Sequence, residues 1–392
     1  MPVLSSVANP DEVSTKAIRR ARAQYVRRWN PWPVCILVLM AMVAGLAIAW
    51  PKSNYDGAFY TALTMPTRDD VALHAAGMAF LDRDPENVGN PYRDDLRTHP
   101  NHFAQQLPFY AVKPLYVALL TWGRDAGLGW RTGAVLSGLS FCALGWTVFT
   151  WLRRAYPDGP ATAFTAILIL NPTVLQLVRW TSPDMLAIAI AVAGAFAIVE
   201  TQSTALGLAL LLANLWIRPE TILLAGFVLC ALLATRHLHW MWAGGLAVFA
   251  VASDCFIARN GYPYSVLFSH SCVQELTAPA GVNLVLTPSV YLGALKHAVQ
   301  ELSFTNPLLS FPLLTCALQL FALRRRSLAA AISFAALSAA FLLFLMVPNF
   351  ESRYFLSTLL FVPALCFLVE VRRSTSGSSL SRDRAEPIGL QR

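Results

Sequence analysis

Residues 33–50 run the depth of a bilayer without one charged side chain, and apolar runs of the same kind recur as far as residue 371. A stretch of this length and polarity is stable in lipid only as a helix, because hydrocarbon offers the backbone no hydrogen-bond partner. The chain therefore reads as an all-α polytopic membrane protein. Its composition agrees: 56% of residues are hydrophobic and 13% are charged, against roughly 25% charged in soluble domains. The net charge of +8 does not indicate nucleic acid. Much of it sits near the two ends, in Arg19, Arg20, Arg22, Arg27 and Arg28 and in Arg372, Arg373, Arg382 and Arg384. Flanking arginines on a membrane protein are the signature of cytoplasmic retention.

The first apolar run lacks a cleavage site after it and is expected to stay as a signal anchor. The seven cysteines lie mostly inside apolar runs with no CxxC spacing, so they read as small core residues.

Spans are expected near 33–50, 132–152, 161–179, 183–199, 204–217, 220–235, 240–257, 307–323, 327–347 and 353–371. The piece 109–122 is short and interrupted by Lys113-Pro114. The positive-inside rule decides it. If 109–122 does not cross, alternation places Arg153 and Arg154, Arg236 and His237, Arg324 to Arg326, and Arg372 and Arg373 all in the cytoplasm. If it crosses, the Arg153 pair and the Arg324 triplet fall outside. The first choice gives ten spans, both termini inside, and 109–122 as a re-entrant or interfacial helix on the outer, periplasmic side of a bacterial inner membrane. The layout is then a basic cytoplasmic segment (1–32), a transmembrane domain (33–372) and a disordered cytoplasmic tail (373–392). The domain includes two outer loops, 51–131 and 258–306. Within the loops, 69–81 and 288–302 have helical spacing.

That topology gathers Asp56, Arg179, Asp184, Arg218, Glu220, Arg259, Glu351 and Arg353 on the outer side, each near the end of a span. Charges close to lipid are expensive, so such a gathering reads as a functional site. Asp56 lies in YDGAFY (55–60), just past the first span. A carboxylate at that boundary can be ionised yet poorly solvated, which suits a general base. Gly57 is expected to turn the backbone beside it. Asp184 starts a helix in RWTSPDMLAIAI (179–190), where it complements the dipole. Arg218 and Glu220 bracket Pro219 in WIRPETILL (216–224). Glu351 and Arg353 stand at the mouth of the last span in NFESRYFLSTLLFVPAL (349–365). Arginine forks two phosphate oxygens and stays charged at any relevant pH. An acid with several arginines at an outer membrane face suits transfer from a phosphate-linked lipid.

In this order the motifs resemble those of the GT-C superfamily, the integral membrane glycosyltransferases that use polyprenyl-phosphate sugars, in particular its mannosyltransferase-like members. The resemblance rests on Asp56 after the first span, Lys113-Pro114-Leu115-Tyr116, Ser182-Pro183-Asp184, Arg218-Pro219-Glu220 and Arg353-Tyr354, and it covers about residues 50–370. It implies a GT-C-like bundle of about ten helices with outer-side interfacial helices. It also implies transfer of one sugar from a polyprenyl-phosphate donor to a hydroxyl of a glycan, lipid or protein acceptor. Under it Asp56 is the expected base, and Lys113, Arg218 and Arg353 the phosphate partners. Asp184 and Glu220 orient the acceptor or an arginine, with Glu351 beside them. Tyr60, Tyr110 and Tyr116 are candidate sugar-stacking or membrane-belt aromatics. The chain departs from the family in that Asp56 has no adjacent carboxylate. Asp69, Asp70, Asp94 or Asp95 could supply a second one, which leaves a divalent cation open; no metal ligands and no cofactor are assigned. Nor is there the large soluble C-terminal domain that oligosaccharyltransferases carry. His99 and His102 stand near Asp94 and Asp95 but lack zinc spacing and read as a solvated loop. The competing readings are an O-antigen-type polymerase or ligase, acting through 258–306, and a lipid-linked sugar transporter or flippase, which predicts charges in mid-span.

Overall fold

The computed structural model describes residues 30–83, 91–274, 276–281, 285–305, 327–349 and 352–382, and over these the chain is helical, with a single isolated bridge between Lys52 and Trp180. Helix α1 (Pro31–Ala49) is capped by Asn30, whose side chain accepts from Trp32 N. Four short helices follow: α2 (Tyr55–Leu63), α3 (Asp70–Leu81), α4 (Pro91–Thr98) and α5 (Pro100–Ala111). The expected helix at 69–81 is thus present, capped by the Asp69 side chain. These four build a small core of their own from Phe59, Leu73, Met78, Phe80, Leu81, Leu96 and Phe103. The stretch that follows the first span is therefore a packed helical unit.

The stretch 54–60 is not a turn. Asn54 caps α2 by accepting from Gly57 N at 3.2 Å, which makes YDGAFY the first helical turns. Gly57 is needed for space instead: a Cβ there would lie 2.6 Å from the Phe80 ring.

Helix α6 (Pro114–Gly123) is ten residues long. That is about 15 Å of helix, half of the roughly 30 Å hydrocarbon core. It is divided from α7 (Thr132–Arg153) by a break where Gly127 and Gly129 take positive φ of 90° and 56°, a region closed to most side chains. Next come α8 (Asp158–Ile169) and α9 (Pro172–Arg179). The expected span 161–179 is broken here, because Pro172 removes a helix donor after Asn171 and the two halves meet at 65°.

Helices α10 (Asp184–Val199), α11 (Thr204–Leu215) and α12 (Ile222–Ala234) are apolar but short. Helix α10 is almost wholly buried, and Gly194 and Gly207 allow α10 and α11 to touch backbone to backbone. The rest is α13 (Trp240–Ala258), α14 (Tyr264–Phe268), α15 (Pro288–Thr305), α16 (Leu328–Met346), α17 (Ser352–Phe355) and α18 (Val362–Arg382). Helix α15 is the element expected at 288–302, and α18 continues ten residues past the boundary set at 372. A π-helical segment, Leu356–Phe361, joins α17 to α18.

Among the described residues five helical stretches are long and apolar enough to cross a membrane, or six if the bent pair α8–α9 counts as one. Ten spans are not supported. The one expected at 307–323 lies outside the described residues and is untested. The other shortfall is physical: α10, α11 and α12 end well before the roughly 20 residues a crossing needs. The protein is a helical membrane protein whose principal core joins α1, α7, α10, α12, α16 and α18.

Candidate functional site

Two backbone hydrogen bonds stitch together four distant parts of the chain. Lys52 N donates to Arg179 O at 3.0 Å, which seats the start of the first loop against the α9–α10 junction. Leu115 N donates to Trp216 O at 3.0 Å, which seats the start of α6 against the end of α11. The buried Asn214 side chain donates to Ala187 O at 3.1 Å and holds α11 to α10. Asp56, Lys113, Asp184 and Arg218 lie within a few residues of these stitches and so converge at one end of the bundle. Arg353 arrives from α17.

The result is a continuous chain of acids and arginines. Tyr110 donates to Asp56 Oδ1 at 3.1 Å, and Arg353 Nη1 donates to Asp56 Oδ2 at 2.5 Å. The same Nη1 lies 3.8 Å from Asp184 Oδ2. The other Asp184 oxygen accepts from Arg218 Nη1, and Arg218 turns its Nε and Nη2 onto Glu220 Oε1 at 3.1 and 2.7 Å. Asp184 and Arg218 are buried, 2% and 5% exposed, so their pairing is required: an unpaired charge there would carry the full desolvation penalty. Lys113 Nζ lies over the Tyr60 and Tyr110 rings at 5.5 and 5.3 Å, with no carboxylate within salt-bridge distance among the described residues.

The electrostatics follow from this geometry. Burial opposes ionisation of Asp56 most strongly. The Arg353 and Lys113 cations and the hydrogen bonds from Arg353 and Tyr110 together outweigh it and hold the carboxyl below its ordinary value. Burial lowers the Lys113 ammonium, with Glu220 and Asp56 working against the shift. A narrow pocket opens beside the network. Its polar end carries Arg218, Glu220, Arg353 and Tyr354, and the rest mixes aliphatic residues of α10, α12 and α16 (Ile188, Leu223, Leu224, Ala339, Leu343) with the hydroxyl side chains Thr221, Ser357 and Thr358.

Of the residues singled out from sequence, Asp56, Lys113, Asp184, Arg218, Glu220 and Arg353 meet here. Glu351 lies outside the described residues. Arg179 is exposed and hydrogen-bonds Trp50 O, and Arg259 is exposed at the end of α13; neither joins the network. Tyr60 and Tyr116 are present but not as sugar platforms. Both are fully buried, edge-packed at 4.8 Å, so no ring face is open to stack on a sugar. What they offer is their hydroxyls, which, with Ser182 Oγ and Trp180 Nε1, are buried without a partner. Tyr354 was not singled out as a site residue, though it stands in the quoted Arg353-Tyr354 pair. Its ring lies 4.6 Å from the Arg218 guanidinium and its hydroxyl accepts from Arg353 Nη2 at 3.3 Å, so it spaces the two arginines. An aromatic directly after a site arginine was the signal available.

The opposite end of α10 carries a separate anchor, where Glu200 accepts from Trp151 Nε1 at 3.1 Å and from Arg373 at 2.8 Å. No protein-family model, curated protein or solved structure matches this chain.

Proposed function

We propose that the protein is an integral membrane glycosyltransferase of GT-C type, moving a sugar from a polyprenyl-phosphate donor to an acceptor hydroxyl at the outer face of the membrane. The observation that carries the reading is the pocket. Two arginines head it, an acid held ionised lies one guanidinium away, and aliphatic side chains lead from it into the bundle. A phosphate head with a hydrocarbon tail is the chemistry that fits both ends.

On this reading Arg218, Arg353 and Lys113 receive the phosphate. As the structure stands, Arg353 is shared between Asp56 and Asp184. A bound phosphate draws Arg353 toward itself, and Asp56 then loses the contact that most weakens it as a base. The acid becomes competent when the donor arrives: it takes the proton of the acceptor hydroxyl while the arginines stabilise the leaving phosphate. Asp184 and Glu220 hold Arg218 in place. The unpartnered hydroxyls of Tyr60 and Tyr116 are available to a hydroxylated ligand. A flippase would need charge along a path through the bundle; the charges of this site stand at helix starts, which favours the transferase. The polymerase or ligase reading needs residues of 258–306 in the site, and among the described residues none of the network comes from there.

The test is binding of a short-chain polyprenyl phosphate to the purified protein, read as a rise in Tm against the polyprenol of equal length. The phosphate is expected to stabilise the wild type and the alcohol is not. R353A should weaken the effect at least tenfold. Equal stabilisation by alcohol and phosphate would remove the arginines from the role.

A further inference from the structure

Away from this network, at the junction of α4 and α5, Asp95, His99 and His102 come together: one carboxylate oxygen and one nitrogen of each imidazole lie within 4.8 Å of one another. We propose that this trio is a binding site for a divalent transition metal of the zinc class, which locks the second outer loop onto the first.

The local structure makes the trio. Asp95 lies in the last turn of α4, His99 is the cap of α5, and Pro100 at the first position of α5 forces the chain to start a new helix there. The spacing 95, 99, 102 is carried across that junction, so sequence distance alone did not reveal a shared face. His102 Nδ1 stands 2.7 Å from Asp95 Oδ2. The His99 ring is held at Nδ1 by the Asp95 backbone oxygen at 3.1 Å and the Thr98 hydroxyl at 2.9 Å, so it is oriented rather than free. The two imidazoles stack with centroids 4.8 Å apart. A plain ion pair accounts for Asp95 and His102; it leaves His99, oriented beside them by Thr98 and the Asp95 backbone, as a third donor converging on the same point. Three donors no more than 4.8 Å apart share a point within about 2.8 Å of each. Each then needs to move by at most roughly 0.7 Å to reach the 2.0–2.2 Å bonds of zinc, a small rotation for side chains that are half-buried or exposed. Two imidazoles with one carboxylate select zinc, cobalt or nickel over magnesium or calcium, which prefer oxygen. His99 is exposed, so water completes the shell.

The consequence lies in what Asp95 also touches. Thr277 of the second outer loop hydrogen-bonds its carboxylate. Beside it, Gln106 of α5 donates to Leu276 O and to Thr277 O at 2.9 Å, and Gln105 accepts from Ala280 N at 3.1 Å. A metal on Asp95 fixes the acid that receives Thr277, and so steadies segment 276–281 on α5. The site is independent of the glycosyltransferase reading.

The test uses the full chain in detergent, purified through a tag without histidine and stripped with a chelating resin. Zinc content per chain, the visible absorption of added cobalt, and amide exchange across 276–281 are measured. One zinc per chain is expected in the wild type, with slower exchange in 276–281 when zinc is present. H99Q/H102Q should bind at least tenfold more weakly, as should D95N, while H237Q/H239Q binds as the wild type does. Zinc content in the wild type no higher than in H99Q/H102Q overturns the proposal, and so does equal loss in H237Q/H239Q. If a variant elutes as aggregate, the wild type decides alone: no cobalt band and no zinc-dependent change in exchange overturn it.

Discussion

Replacing Asp184 by Asn tests the buried centre of the network. The Arg218 and Asp184 side chains are 6% and 3% exposed. Breaking a buried pair by removing one partner costs about 3–5 kcal/mol, because the surviving charge remains in a poor solvent. Here the surviving charge is not abandoned. Arg218 keeps two hydrogen bonds to Glu220, whose side chain is 32% exposed and so better solvated. That residual pairing offsets part of the loss and leaves about 2–3 kcal/mol for D184N. In D184N/E220Q neither carboxylate remains to neutralise Arg218, and the loss should exceed the sum of the two singles, as expected for residues in one network. D184L/R218M removes both charges and should lie closer to wild type than D184N does. The assay is unfolding in mixed micelles against denaturing detergent, followed by tryptophan fluorescence. D184N within about 0.5 kcal/mol of wild type would refute the reasoning, as would an E220Q variant less stable than D184N.

Three further outcomes follow from the structure. G57A pushes a methyl into the Phe80 ring and should cost about 1–3 kcal/mol in the same assay; a neutral G57A would mean the first-loop core is looser than its contacts suggest. Y116F deletes a buried hydroxyl without a partner, so without substrate it should match or exceed wild-type stability; a loss above about 1 kcal/mol would reveal a missing partner. Asp56 titrates below its ordinary 3.8. On acidification the unfolded chain protonates first, so the stability Asp56 contributes is complete above that value and is lost as pH falls through the folded one. The stability difference between wild type and D56N should therefore shrink only below about pH 4, and shrinkage near neutrality would contradict the Arg353 pairing.

The gathering of charged residues was more legible in the sequence than the number of spans. Acids and arginines beside prolines at the ends of apolar runs could be brought to one side by charge bias alone, and Asp56, Lys113, Asp184, Arg218, Glu220 and Arg353 do meet. Span number was less legible, because apolar runs record what a segment is buried in and not whether it is continuous. Pro172 breaks one such run, and 184–199 and 204–215 are apolar because they pack on each other through Gly194 and Gly207. The turn expected at Gly57 became a helix because Asn54 is its cap, a signal that was present one residue before the quoted motif. The aromatic roles were misjudged for a different reason: composition cannot tell a ring whose face is open from one whose face is covered, as at Tyr60 and Tyr116.

The proposed reaction rests on Asp56 acting on a lipid-linked sugar. Its most direct measurement is turnover of radiolabelled polyprenyl-phosphate sugars in membranes containing wild type or Asp56→Asn at equal folded amounts. Label leaving the lipid with wild type, and falling at least a hundredfold with Asp56→Asn, is the predicted result. Equal turnover by the two proteins, or none by wild type with any monosaccharide donor, would contradict it.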